Sequence, residues 1–195
     1  MSTVMTGCVD AVPDDALIQR VAQGDERAFG ALVEKHQLRV LNTIHRYVGE
    51  AAEADDIAQE VFLIVWNKAG SFRGTSKFST WLYRIVVNQC LQFHRRKKQA
   101  VVSLDGMDSD HPPESLQVAD DPERRARTEA VKRAVAELPD RQRMALVLSH
   151  FEGWSYKEVA ELMDASVSSV ESLIFRAKET LKEKLTRQSA AQNAK

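Results

Sequence analysis

The chain has 195 residues, a net charge of −1, 44% hydrophobic residues and two cysteines, which cannot build a disulfide framework or a multi-cysteine metal site. This length allows one or two compact domains, and two small ones are the better expectation. The longest apolar run, Val61 to Trp66, is far shorter than the ~20 residues that span a bilayer, and the first dozen residues lack the features of a secretory signal, which together predict a cytoplasmic protein without membrane insertion.

Apolar residues recur at helical spacing, while glycine and proline are scattered, and this pattern predicts an all-α protein. After a disordered N-terminal tail, residues 1–13, the first helix is predicted to begin near Asp14. Asp25 is predicted to cap a second helix that ends at Gly49. A third helix is predicted from about Ala51 to Ala69.

A fourth helix is predicted to follow the polar loop 71–77 and to end near Lys97. It completes a four-helix unit over residues 14–99, which we call the N-terminal module. Residues 100–121 are acidic, rich in Ser and Pro and without helical period, so they predict a flexible linker. Such a linker would let the modules on its two sides move independently.

The third helix has one polar, acidic face. Asp56, Gln59 and Glu60 fall at positions i, i+3 and i+4, and apolar residues occupy the other side. Composition alone favours a solvated face for these three side chains, with partner binding as the alternative.

Basic residues are concentrated around the fourth helix. From Glu60 to Asp105 no acidic residue intervenes, and such an imbalance is typical of a phosphate-binding surface. For the run 94–98 alone, a solvated helix end is the alternative. The basic residues of the interval are Lys68, Arg73, Lys77, Arg84, Arg95, Arg96, Lys97 and Lys98.

One side of the fourth helix combines Trp81, Arg84, Asn88 and Arg95. An aromatic ring, an amide and guanidinium groups together can stack on unpaired bases, hydrogen bond to base edges and bind phosphate. Phe72 and Arg73, in the preceding loop, extend this chemistry. A core position is the alternative for Trp81 and for Phe72.

The segment 121–123, Asp-Pro-Glu, predicts a helix start, with an N-cap, a proline at the first helical position and an acid in the first turn. It opens the C-terminal module, residues 122–187, which a short C-terminal tail, 188–195, follows. Leu138-Pro139 is predicted to break this helix and to start another that runs to about Phe151.

Two further helices predict a helix-turn-helix. Ser155 to Glu158 fits a capping box, with Trp154 and Val159 as a hydrophobic staple. After a turn at 164–166, Ser166 is predicted to cap a final helix, the second of the motif, which enters the major groove in DNA-binding proteins. The apolar stripe of that helix consists of Val170, Ile174, Ala177, Leu181 and Leu185.

Phe175 lies on the opposite side of the final helix, with Ser168, Ser172 and Glu179, and with Glu171 and Arg176 at the flanks. An aromatic ring there is unfavourable unless something covers it, and a base edge or a thymine methyl would do so. Packing on a neighbouring helix is the alternative.

Other functions fit less well. The five histidines show neither metal-ligand spacing nor a nearby nucleophile, and there is no glycine-rich phosphate loop, so we expect no enzyme, metal or cofactor. A helix-turn-helix repressor or activator is the main rival, since the C-terminal module alone would fit it. An interaction adaptor is a third class.

Six segments resemble the signatures of extracytoplasmic-function sigma factors of bacterial RNA polymerase. The resemblance covers about residues 14–187, in the family's order and spacing. It implies two small helical domains joined by a flexible linker, sigma region 2 over 14–99 and sigma region 4 over 122–187. The segments are DDIAQEVF (55–62), SFRG (71–74), FSTWLYRIVVN (78–88), LPDRQR (138–143), YKEVAELM (156–163) and VESLIFRA (170–177).

The resemblance also implies partners. Asp56, Gln59 and Glu60 match the motif that docks on the clamp helices of the largest subunit of core RNA polymerase, and the flap of the second-largest subunit is a further contact. An anti-sigma factor is a partner by family norm. Phe72, Arg84 and Asn88 match positions that open the minus-ten promoter element and hold a flipped base in a protein pocket. The predicted minus-ten residues are Phe72, Arg73, Lys77, Trp81, Arg84, Asn88 and Arg95.

Ser172, Phe175 and Arg176 match residues that read the minus-thirty-five element. Members of the family often carry arginine where this chain has Glu171 and Leu173, which implies a different preferred sequence. Glu171 either accepts a hydrogen bond from a cytosine amine or lies out of the groove. The predicted minus-thirty-five residues are Ser168, Glu171, Ser172, Phe175 and Arg176.

Overall fold

A computed structural model describes the backbone of residues 12–103 and 122–193, and the side chains of residues 12–99 and 127–187. All regular structure in these ranges is helical, which confirms the all-α prediction. The predicted N-terminal tail up to residue 11 and most of the predicted linker, 104–121, lie outside the described residues. Within the described ranges, no helix combines the length and the apolar character that a membrane span needs.

Four helices form the N-terminal module, as the sequence predicts. Asp25 caps α2 by accepting hydrogen bonds from the amides of Arg27 and Ala28, both at 3.0 Å. Gly49 ends α2 with a φ of 93°, a left-handed conformation that glycine adopts without strain. The helices are α1 (Asp14–Val21), α2 (Glu26–Val48), α3 (Ala51–Lys68), which a 3-10 turn (Ala69–Ser71) extends, and α4 (Phe78–Ser103).

α4 is longer than the sequence predicts. It passes the expected end near Lys97 and continues to Ser103, into the first residues of the predicted linker. Nothing between Lys97 and Ser103 is a proline or a glycine, so the backbone meets no residue that would stop the helix there.

The C-terminal module also has four helices. Ser155 accepts from the amide of Glu158, and the Glu158 carboxylate accepts from the amide of Ser155, which confirms the capping box. α8 continues through the predicted tail to Asn193. The helices are α5 (Pro122–Ala136), α6 (Asp140–Leu146), which a π-helical turn (Val147–Phe151) extends, α7 (Tyr156–Leu162) and α8 (Val167–Asn193).

The two modules pack against each other. Met144, Leu148 and Val159 of the C-terminal module are fully buried in one apolar cluster with Tyr83 and Cys90 of α4. Burial raises the pKa of the Cys90 thiol to about 12, so this cysteine is a packed thiol. The structure thus differs from the independent movement that the linker composition predicts. Each module offers an apolar face to the other, and the composition of the linker carries no information about those faces.

Arg143 of α6 lies at the centre of this interface and is only 5% exposed. Its guanidinium donates to the backbone oxygen of Tyr47 at 2.9 Å, near the end of α2, and to that of Leu138 at 3.0 Å, just after α5; it also donates to that of Ala136. These carbonyls are the unpaired groups of two helix ends, one from each module. Arg143 therefore joins the modules by satisfying both.

His94 of α4 makes the interface sensitive to pH. Its burial, and the guanidinium of Arg143 at 3.3 Å from Nε2, lower the pKa of this imidazole below its usual 6.5, against the opposing effect of Asp140. In the unfolded chain the same group binds a proton more readily. The free energy of unfolding should therefore be highest above pH 6.5 and fall as the pH decreases below that value.

Urea denaturation between pH 5 and pH 8 tests this expectation. His94→Gln, which cannot take up the proton, should flatten the slope of unfolding free energy against pH below 6.5. A slope as steep as that of the wild type would show that other groups cause the dependence.

Candidate nucleic-acid interface

The predicted strand-capturing side of α4 is open to solvent. Arg84, Asn88 and Arg95 are exposed, and Trp81 is half-buried. Their spacing places them on the side of the helix opposite Leu82 and Val86, which are fully buried. α4 thus holds two guanidinium groups and an amide on one rigid element.

Phe72 and Trp81 meet in an aromatic cluster with Phe78. The ring centroids are 5.6 Å apart for Phe72 and Trp81, and 5.9 Å apart for Phe78 and Trp81. Phe78 is buried, whereas Phe72 and Trp81 are half-buried and pack against the core from its edge. Each of the two rings therefore belongs partly to the core and partly to the surface, so the core alternative holds in part, and the stacking role of the two rings stays a prediction.

A cavity of about 280 Å³ lies beside Phe72. It opens between α1 and the 3-10 turn, with Ile18, Ala22 and Gly70 in its wall. Two amide side chains, Gln19 and Gln23, also line it. The wall of the cavity is thus part apolar and part polar.

The interval between Glu60 and Asp105 contains no acidic residue, but the fold brings acidic side chains from other helices close to its cations. Lys97 forms a salt bridge of 2.7 Å with Glu53 of α3, and Lys98 forms one of 2.7 Å with Asp140 of α6. Arg84 donates from Nε to the backbone oxygen of Glu161 at 3.2 Å. Acidic side chains and a backbone oxygen of the protein itself thus bind three of the cations in this interval, and the binding of phosphate by this surface stays a prediction.

The polar face of α3 is exposed as well. Asp56, Gln59 and Glu60 all face solvent, while Ile57 and Val61 on the other side are buried. Leu63 extends this row and is 60% exposed, although it is a large apolar residue. Sequence analysis missed Leu63, and its spacing of one turn beyond Gln59 is the signal that would have placed it on this face.

α7 and α8 form the predicted helix-turn-helix. Asp164 turns the chain with a φ of 49°, and Ser166 caps α8 by accepting from the amide of Ser169 at 3.2 Å. Phe175 is 67% exposed, whereas Val170 and Ala177 are fully buried. The ring of Phe175 thus does not pack on a neighbouring helix, and that alternative is wrong for this structure.

The rest of the exposed side of α8 that carries Phe175 is polar. Ser172 donates its hydroxyl to the backbone oxygen of Ser168 at 2.9 Å, which leaves its oxygen able to accept. Glu171 and Arg176 are exposed beside it. Leu173 is half-buried and packs against the core, so it lies away from the exposed side of α8 that carries Phe175.

Two family models match the chain. Sigma-70 region 2 matches residues 32–100, and sigma-70 region 4 matches residues 128–181. The first match contains α3 and nearly all of α4, and the second contains the helix-turn-helix. The first matched region thus overlaps the N-terminal module without α1, and the second lies within the C-terminal module.

Relatives span nearly the whole chain. It is 40% identical to the RNA polymerase sigma-H factor of Pseudomonas aeruginosa over 86% of this chain and 91% of that one. It is 34% identical to the ECF RNA polymerase sigma-E factor of Escherichia coli K12 over 90% of this chain and 96% of that one. Among solved structures, CnrH in complex with the cytosolic domain of CnrY is similar with a TM-score of 0.65 and 26% identity, over 89% of this chain and 97% of that one.

Proposed function

Because the chain belongs to the extracytoplasmic-function sigma factors, we propose that it binds core RNA polymerase and directs promoter-specific transcription initiation. One observation carries this function: the same chain combines an exposed polar face on α3, an exposed aromatic, amide and guanidinium surface at α4, and a separate helix-turn-helix. A protein that recognises a promoter at two elements needs both DNA-binding surfaces, and a polymerase subunit needs the third.

We assign the α3 face to the polymerase. Asp56, Gln59 and Glu60 would contact the clamp helices of the largest subunit, with Leu63 supplying apolar contact at the end of the row. Interfaces of this kind depend on a few well-placed side chains surrounded by nearly neutral contacts. The C-terminal module would contact the flap of the second-largest subunit.

We assign the α4 surface to the melted minus-ten element. Unstacking a base costs a few kcal/mol, which stacking on an aromatic ring and contacts to the base edge must offset. Phe72 and Trp81 present partly exposed rings for stacking, Asn88 presents an amide for a base edge, and Arg84 and Arg95 present cations for phosphate. Arg73 and Lys77 are exposed in the adjoining loop and would bind phosphate as well.

We assign the exposed face of α8 to the minus-thirty-five element. Ser168, Glu171, Ser172 and Arg176 can reach base edges and phosphates from a helix in the major groove. Glu171 supports a preference for cytosine at the position it faces, because a carboxylate accepts from the cytosine amine and is repelled by phosphate.

A helix-turn-helix repressor would need only the C-terminal module. It would give no role to the exposed face of α3 or to the mixed surface of α4. We therefore assign the chain a regulatory role as a polymerase subunit without catalysis of its own, acting in the cytoplasm, where it meets the polymerase. We also infer control by an anti-sigma factor, since the similar CnrH was solved with a protein partner.

Co-purification tests the function. A tagged form of the chain should retain core RNA polymerase in the absence of DNA and should bind duplex promoter poorly by itself. A repressor would give the opposite result, with tight binding to an operator and no retained polymerase. A chain that neither retains core RNA polymerase nor binds DNA would favour an interaction adaptor.

Phe175→Ala should weaken promoter binding by the holoenzyme about 10- to 100-fold, because one good contact to a base contributes about 1–3 kcal/mol. The stability of the free chain should change little, since the ring is 67% exposed. Filter binding with the holoenzyme, and thermal melting of the free chain, measure the two effects. If the variant holoenzyme bound the promoter as tightly as the wild type, Phe175 would not contact promoter DNA.

A further inference from the structure

A histidine of α2 connects α1 to the aromatic cluster at the start of α4. His36 Nε2 lies 2.9 Å from Asp14 Oδ2, and the centroid of the His36 ring lies 5.3 Å from that of Phe78. The side chain of His36 is only 16% exposed, so both contacts are largely shielded from water. Three helices therefore meet at this one imidazole.

Hydrogen bonds at Asp14 fix the orientation of the imidazole. Because an ionised carboxylate only accepts, Nε2 of His36 carries the proton and donates it to Asp14. The other carboxylate oxygen of Asp14 accepts from Lys35 Nζ at 2.7 Å, and Lys35 also donates to the backbone oxygen of Val12 at 3.1 Å. With both oxygens bound, the carboxylate cannot turn without losing a bond, and the plane of the imidazole is held with it.

Phe78 links this imidazole to the two rings that we assign to base stacking. Phe78 is 3% exposed, and its ring centroid lies 6.1 Å from that of Phe72 and 5.9 Å from that of Trp81. Rings at such distances pack in preferred orientations, so the movement of one ring displaces its neighbours. Phe72 lies in the loop before α4, and its position relative to Trp81 therefore depends on this side-chain packing.

The joint between α1 and α2 does not depend on the imidazole. Lys35 already binds Asp14 across the two helices, and Leu17 and Ile18 of α1 are buried in the core. His36 adds an aromatic ring against Phe78. A site that captures a base binds more tightly when its stacking rings are already in place, because rings that become ordered on binding cost affinity.

We propose that His36 is a positioning residue for base capture. Its ring, oriented by Asp14, holds Phe78, and Phe78 keeps the two stacking rings in the arrangement that accepts a flipped base. His36 itself would touch no nucleotide. This inference rests on the proposed function, since the two rings act on a base only if the α4 surface binds the melted minus-ten strand.

Two substitutions separate the ring from the hydrogen bond. His36→Gln keeps a donor for Asp14 and loses the ring, whereas His36→Tyr keeps both a ring and a donor. His36→Gln should weaken binding of the melted strand by the holoenzyme about three- to tenfold, which corresponds to the contribution of one aromatic pair. His36→Tyr should bind close to the wild-type affinity. A role confined to the joint between α1 and α2 predicts no loss in His36→Gln.

The probe is a single DNA strand that carries the minus-ten element of a promoter that the holoenzyme transcribes. A second set of strands has an abasic site at one position of this element at a time, and fluorescence anisotropy measures the affinity of the holoenzyme for each. Where the captured base is missing, His36→Gln and the wild type should bind equally, because no base remains for the rings to stack on. The comparison of strands is made within each variant, so a smaller folded fraction lowers both affinities alike.

Two further variants calibrate the measurement. Trp81→Ala removes a stacking ring and should show a larger loss than His36→Gln, again only on the strand that carries the captured base. His45→Gln is the matched control, because it makes the same change at another half-buried histidine of α2. It should bind every strand as the wild type does.

Wild-type affinity in His36→Gln, or an equal loss on intact and abasic strands, would overturn the proposal. A loss in His36→Tyr as large as that in His36→Gln would also overturn it, because the ring would then not matter. If Trp81→Ala bound the intact strand as tightly as the wild type, the strand-capturing surface itself would be refuted, and the positioning role with it. Retention of core RNA polymerase by the chain would be unaffected by any of these results.

Discussion

Replacing Gln59 and Glu60 together with alanine is expected to weaken binding to core RNA polymerase by at least about 30-fold. The few side chains that dominate an interface contribute about 2 kcal/mol or more, and the loss of one such contribution corresponds to about 30-fold. Both are exposed on α3, opposite buried residues. The substitution therefore removes partner contacts without opening a cavity in the core, and thermal stability should change by less than about 0.5 kcal/mol.

Titration of core enzyme with the labelled chain measures this loss. Gln23→Ala with Glu26→Ala is a matched control, because it removes the same two residue types from exposed positions in the turn after α1 and at the first residue of α2. The control should bind as the wild type does. If both double variants lost affinity equally, the effect would come from net charge, and the α3 face would not be the polymerase site.

Asn88→Ala is expected to reduce open-complex formation about 10- to 100-fold while polymerase binding stays intact. The amide is exposed on α4 and one turn beyond Arg84. Loss of a contact to a base edge costs about 1–3 kcal/mol, and this contact is available only after the duplex has melted. Permanganate reactivity of unpaired thymines reports the open complex directly.

A template with a mismatched, already melted minus-ten region separates two roles for Asn88. If the amide acts chiefly in melting, the mismatch should restore most of the lost activity; if it holds the captured strand, the defect should persist. Gln92→Ala, an exposed amide one turn further along α4, is the control and should behave as the wild type. An Asn88 variant with normal opening on a duplex promoter would contradict the assignment.

Helix ends were the most predictable part of the fold. Asp25, Gly49 and the box from Ser155 to Glu158 act through backbone geometry within a few residues, so their effect can be read from the local sequence. The exposure of Phe175 was predictable for a similar reason, because the helical period alone places it opposite the apolar stripe. The family resemblance then supplied roles that these patterns do not carry.

Packing between the modules was not predictable from local patterns. The burial of Arg143 and Glu152 depends on groups far away in the sequence, such as Tyr47 and Arg39. Lys98 likewise meets its acid, Asp140, only in the fold. Charge counted along the chain therefore missed acidic groups that the fold places beside Lys97 and Lys98.

Run-off transcription with purified core enzyme on a library of genomic fragments tests the central claim most directly. We predict that adding the chain directs initiation from a limited set of fragments, with start sites downstream of shared minus-ten and minus-thirty-five sequences, and that the Asn88→Ala chain loses these transcripts while still binding core enzyme. The same pattern of transcripts with and without the chain would contradict the account.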